Sequence, residues 1–262
     1  MLRQISADPD NLILREEFAR SLEGNDSVRA QFIRLQLRRS TASKSSTLED
    51  LEAEWKCRDL EKLHGREWLP NDLAGLGVTG VRYNRGFPEH VEIDASDFLV
   101  HWEALLEAAP ILHLTLKGVK AVAEALFTSP ALRRMRSLDL SRCGLTDPEI
   151  ELLASQPLVD LRWLSLAGNE IGKRGVEALV AATQSGRIPL VYVNLAGNPF
   201  NPVERLVYDM DSVMDTEMSP EALEWERRAP VPWLRRNLKN GLIQPIDRFA
   251  PERASSTSYS TR

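Results

Sequence analysis

The chain has 262 residues, a formal net charge of −5, and 43% hydrophobic residues. That apolar content excludes a disordered chain, and the modest glycine and proline content excludes a collagen-like or low-complexity one. The acidic balance speaks against a general nucleic-acid binder, which is usually basic. Two cysteines, Cys57 and Cys143, are too few for a disulfide framework or a four-ligand zinc site. Reduced thiols fit the cytoplasm, no apolar run of signal-peptide length opens the chain, and no stretch approaches the roughly 20 apolar residues of a membrane span. A cytoplasmic protein with no membrane partner is the expectation.

The first 70 residues predict a small all-α domain. Asp8 to Asn11 offer caps, and Leu12, Leu14, Phe18, Ala19 and Leu22 then recur at helical spacing. Asp26 or Ser27 caps a second helix with Phe32, Ile33, Leu35, Gln36 and Leu37 on its apolar stripe. After a polar loop over 40–47, a third helix places Leu48, Leu51, Trp55, Leu60 and Leu63 inward and ends near Gly65.

Internal repeats follow. Met135, Leu138, Leu140, Cys143 and Leu145 match Leu161, Leu164, Leu166, Asn169 and Ile171, and again Leu190, Val193, Leu195, Asn198 and Phe200. Each follows L-x-x-L-x-L-x-x-N/C-x-L, the leucine-rich-repeat pattern. A weaker copy is Ala109, Leu112, Leu114, Lys117 and Val119, and a degenerate one puts Val91 and Ile93 on a first strand. Residues 112, 138, 164 and 193 are 26, 26 and 29 apart, which leaves room for a helix in each repeat. Leucines two apart share the buried face of a strand, and the Asn or Cys bonds otherwise unpaired backbone groups of the turn. Asp147-Pro148-Glu149-Ile150 opens one intervening helix, and Val176, Leu179 and Val180 mark another. The fold class predicted is α/β: a short solenoid with parallel strands on the concave face and helices outside, preceded by the helical domain. The expected divisions are 1–70 helical, 71–200 repeats, 201–249 a C-terminal cap and 250–262 a disordered tail.

Several strings carry a family resemblance: Asp8-Pro9-Asp10, Gly24-Asn25-Asp26, Arg29-Ala30-Gln31-Phe32-Ile33-Arg34-Leu35-Gln36, His64-Gly65-Arg66-Glu67-Trp68 and Arg85-Gly86-Phe87-Pro88-Glu89-His90-Val91. With the repeats, they make residues 1–200 resemble bacterial leucine-rich-repeat proteins that carry an N-terminal repeat-companion domain. The repeats are similar to the ribonuclease-inhibitor type, a group containing inhibitors and GTPase-activating proteins. The resemblance implies action through protein contacts.

Other motifs read blandly. Gly75-Leu76-Gly77-Val78-Thr79-Gly80 matches G-x-G-x-x-G, with Asp97 near the distance of a ribose-binding acid. It lacks a strand before and a helix after, which predicts a loop. His90 and His113 on neighbouring strands, with Glu92 and Asp94, read as a polar strand face rather than a metal site. Cys143 reads as an inert turn cysteine and Cys57 as packing. Arg133, Arg134, Arg136 and Arg142 read as a solvated or partner-binding face, with an arginine finger as the sharper alternative.

Alternation on the strands gives two outward rows: His90, Ile111, Ser137, Trp163 and Tyr192, then Glu92, His113, Asp139, Ser165 and Asn194. Exposed Trp and Tyr near Arg have the composition of an interface hot spot. The competing possibility is that Trp163 and Tyr192 cover their neighbours or are covered by the C-terminal segment. The expectation is a monomeric, non-enzymatic scaffold without cofactor, metal or nucleic acid. It binds a protein partner through Trp163, Tyr192, Arg136, Asp139, Arg142, His113 and Glu92. The alternative is a regulator of a nucleotide hydrolase or other enzyme.

Overall fold

A computed structural model describes residues 1–41, 48–70, 73 and 75–199, and the short strand 244–245. The expected cap over 201–249 and tail over 250–262 otherwise lie outside the described residues. Four helices open the chain: α1 (Leu2–Ala7), α2 (Leu12–Ser21), α3 (Ser27–Thr41) and α4 (Leu48–His64). A hairpin of β1 (Val78–Asn84) and β2 (Phe87–Asp94) follows. Then come α5 (Ala95–Ala108), β3 (His113–Lys117), α6 (Ala123–Thr128), β4 (Ser137–Asp139), α7 (Asp147–Ser155), β5 (Trp163–Ser165), α8 (Lys173–Gln184), β6 (Tyr192–Asn194) and β7 (Gln244–Pro245). The strands form one sheet in chain order, parallel from β2 to β6 and antiparallel at both ends.

The leucine alternation drives this arrangement. Leu114/Leu116, Leu138/Leu140, Leu164/Leu166 and Val193/Leu195 all turn the same way and are buried in one core beneath the sheet. Helices α5 to α8 close that core from the other side with Phe98, Leu105, Leu126, Ile150, Leu153, Val176 and Leu179. Helix α7 begins where the sequence places it. Pro148 sits in the first turn, and Glu149 Oε2 accepts the Thr146 N–H at 2.7 Å.

The weakest repeat was aligned two residues out. Leu114, not Leu112, pairs with Leu138 across β3 and β4, and His113 pairs with Ser137. Leu112, Leu114 and Leu116 all alternate, so the template fits this strand in two registers. A shift of two keeps every side chain on its own face.

Helices α2 and α3 pack as expected, α1 is a helix the sequence does not announce, and α4 differs. Asn11 and Asp26 cap their helices by accepting the N–H of Leu14 and Arg29. Ile5, Ala19, Ala30, Ile33 and Leu37 form a small core that the hairpin residue Phe87 plugs. On α4 Ala53 and Cys57 are buried, Cys57 meets Phe32, Trp68 and Tyr83 with Leu60 packed against them as expected, and Leu48, Leu51, Trp55 and Leu63 are exposed. The inward assignment of those four is thereby corrected. The aromatic trio fills much of the space beneath α4, leaving room for Cys57 and part of Leu60.

Candidate functional site

The outward face of the sheet carries the row His90–His113–Ser137–Trp163–Tyr192 in direct register. Trp163 and Tyr192 are each 4% exposed and His113 is fully buried. This corrects the expectation of exposed rings. Trp163 stands opposite Tyr192 on the adjacent strand, and β7 continues the sheet with Pro245 opposite Tyr192. His113 Nδ1 and Ser137 Oγ share a hydrogen bond of 2.7 Å, and His90 Nε2 lies 2.9 Å from Thr115 Oγ1.

A chain of charges ties the helical segment to this row. Arg15 and Glu89 form an ion pair at 2.7 Å with both side chains fully buried. Arg15 also donates to the carbonyls of Pro9 and Arg85, and Glu89 accepts from Arg85 Nε and Asn84 Nδ2. Arg85 bonds Asp10, and Asp10 in turn takes both Nη atoms of Arg136 on the repeat sheet. Arg134 donates to the Ser6 carbonyl. Two of the expected partner-facing arginines are therefore engaged within the chain. The hydrogen bonds from Arg136, with Arg85 behind them, hold the Asp10 carboxyl far below the usual carboxylate range.

The buried imidazoles make stability sensitive to pH. Burial lowers the His90 pKa to about 4 and, with His90 and Arg136 adding, holds His113 well below its ordinary value. The unfolded chain takes up protons as pH falls through about 6.5 while the folded histidines stay neutral. The unfolded state then binds more protons, so stability decreases as pH falls from about 6.5 to 4. His90 alone predicts a loss of roughly 2 kcal/mol between pH 7.5 and 5. The Asp10 contribution has another window: a lowered carboxyl stabilises above about 4 and is lost only on further acidification. Urea midpoints at pH 7.5, 6 and 5 measure the slope, and a flat profile in the His90→Gln/His113→Gln double variant assigns it. A wild-type profile flat over this range contradicts the account.

Of the next row, Glu92, Thr115 and Asp139 stay partly accessible while Ser165 and Asn194 are buried. Glu92, Thr115, Asp139, Ser165 and Asn194 stand in register across β2 to β6. Glu92 pairs with Lys117, and both reach solvent. Asp139 is half-buried and accepts the N–H and O–H of Ser141. Arg142 is exposed and has φ 57°, at the position where neighbouring repeats have Gly118, Gly168 and Gly197 with φ of 65°, 67° and 70°. Only glycine takes that conformation without cost. The Arg142 N–H donates to Ala167 O at 2.8 Å, which fixes the strained turn to the next repeat.

Beneath these turns Asn169 makes four bonds. Its Oδ1 accepts from the N–H of Cys143 and Leu145, both at 3.0 Å, and its Nδ2 donates to Leu140 O and Leu166 O. Asn198 repeats three of these contacts one unit on. Cys143 occupies the same position one unit earlier, with its thiol toward Leu116 O and its pKa raised by burial.

The remaining motifs find ordinary places. Gly75 to Gly77 form a turn that runs into strand β1 rather than a helix, so the dinucleotide fingerprint lacks its context. Asp97 lies against Gly77, where a Cβ would meet its Oδ2 at 2.5 Å. Among the described residues no group of three or more His, Cys, Asp or Glu side chains is arranged to hold a metal ion, and no helix is long and apolar enough to cross a membrane. Sequence reasoning missed Arg15, Glu89 and Asp10 as a unit, because their partners are 74 and 126 residues away along the chain (15 to 89, 10 to 136).

A family model described as Leucine Rich repeat matches residues 133–154 and 160–180. Comparisons with curated proteins and with solved structures give no match. The matched segments cover β4 with α7 and β5 with most of α8, the two units that share the Asn169 contacts. Leucine-rich repeats generally mediate protein–protein interaction.

Proposed function

We propose that this chain is a non-enzymatic, monomeric protein-interaction scaffold of the cytoplasm. In this reading the strand–helix units form a short solenoid of ribonuclease-inhibitor type, and residues 1–70 are the companion domain of a bacterial leucine-rich-repeat protein. The partner meets the accessible row and its turns, namely Glu92, Asp139 and Arg142. Arg136, His113, Trp163 and Tyr192 form the packed layer that supports them. The observation that carries this reading is Arg142. It is an exposed arginine held in a left-handed turn where glycine costs less, on a rim bonded to the following repeat. Strain retained at an accessible side chain points to a use for that side chain, and a rigid surface lowers the ordering cost of association.

The test separates stability from binding. Arg142→Gly is expected to raise stability by about 1 kcal/mol, because it relieves a left-handed residue. The same change removes a contact and weakens capture of the partner. Urea unfolding and pull-down from a lysate of the producing cells read the two effects. A variant that is more stable and binds as well as wild type overturns the role of Arg142.

A further inference from the structure

A groove of about 1020 Å³ runs between α4 and the outer edge of β1. Strand β1 is the first strand of the sheet, and its outer edge pairs with no strand among the described residues. Thr79, Gly80 and Val81 line the groove, and Cys57, Leu69 and Val78 add apolar lining. Among the described residues the edge is blocked at one end. There Glu61 Oε1 accepts the Tyr83 N–H at 3.3 Å, in the place where the carbonyl of an added strand would sit. Exposed edges of this kind are usually blunted because they template further pairing.

The charge of the groove is opposite to that of the chain. Arg39, Arg58, Lys62, Arg66 and Arg82 line it against two acids, Glu54 and Glu61, in a protein of net charge −5. Glu54 is engaged by Arg39 and Arg58. Lys62, Arg66 and Arg82 are exposed and form no ion pair among the described residues. At 100° per residue, Leu51 and Trp55 lie on the side of α4 that also carries Arg58 and Lys62, and both are exposed. The groove therefore joins an open strand edge, cations without ion pairs and an apolar lining, with exposed Leu51 and Trp55 on the side of α4 that carries Arg58 and Lys62.

We propose that this groove receives an extended acidic segment of a protein partner, added as a strand along β1. Main-chain bonds to the edge supply affinity, and the cations select acidic side chains. A nucleic acid would use the cations but leave the strand edge and the apolar lining unused, so a peptide fits more of the site.

The full chain, immobilised, is offered three probes: pooled decapeptides alternating Asp/Glu with randomised apolar residues, the same pool with Lys in place of the acids, and a decauridylate. Retention of the acidic pool alone is expected. The charge reversal Lys62→Glu/Arg82→Glu, at exposed positions outside every core, is expected to weaken retention about tenfold while the urea midpoint holds. Hydrogen exchange with a retained peptide bound slows at the amides of 79–81. No retention of the acidic pool, retention unchanged by charge reversal, equal binding of decauridylate, or slowing confined to the repeat sheet each overturns the proposal. Arg142→Glu serves as the control, since Arg142 lies outside the groove lining and its loss leaves this groove untouched.

Discussion

Replacing Glu89 with alanine is expected to destabilise the chain by about 3–5 kcal/mol. Both side chains of the Arg15–Glu89 pair are fully buried, and Glu89 also answers Arg85 and Asn84. Removing it leaves a guanidinium without its counter-charge in a site where burial already lowers the Arg15 pKa to about 10. Removing both charges is a different matter. Arg15→Met/Glu89→Leu fills similar volume without a buried ion, so the double variant is expected to lose less than the single one. Urea denaturation measures both. A single variant within about 1 kcal/mol of wild type contradicts this description of the cluster.

Asn169→Ala is expected to cost about 2–4 kcal/mol. The substitution orphans the N–H groups of Cys143 and Leu145 and takes the side-chain donor from Leu140 O, while Leu166 O keeps Asn198 Nδ2, and a buried group left without its partner costs about 1–3 kcal/mol. Cys143→Ala, at the equivalent place one unit earlier, removes only a thiol with weak bonds to carbonyls and is expected to cost about 1 kcal/mol. The contrast in urea midpoint tests whether asparagine couples adjacent repeats. Equal losses at the two positions contradict that coupling.

The repeat core was legible because period-two leucines and a bonded turn residue are local signals. Leu138/Leu140 and Leu164/Leu166 behave as read, and Asn169 bonds the turn backbone as its position implies. The hairpin was not legible. Arg85 and Gly86 both have positive φ, 49° and 87°, as in a tight two-residue turn, but arginine is not among the residues that announce one. Gln36 holds that turn by accepting the Gly86 N–H at 2.7 Å, across a separation of 50 residues. On helix α4, Leu60 packs inward as its spacing predicts, but Leu48, Leu51, Trp55 and Leu63 face out while the small Ala53 and Cys57 are buried. Trp163 and Tyr192 were read as exposed because alternation assigns a face and says nothing of what lies above it. The accessible part of the candidate site is therefore narrower than the sequence suggests, and Arg142 is identified by a backbone angle rather than by any motif.

The account meets its most direct test in affinity capture from the producing cells, comparing the wild type with Glu92→Lys/Arg142→Glu and identifying bound proteins by mass spectrometry. The interaction reading predicts a protein recovered with the wild type and lost with the variant, while both fold with similar urea midpoints. Equal recovery by both forms contradicts the repeat-face site, and recovery of no protein by either contradicts the interaction function itself.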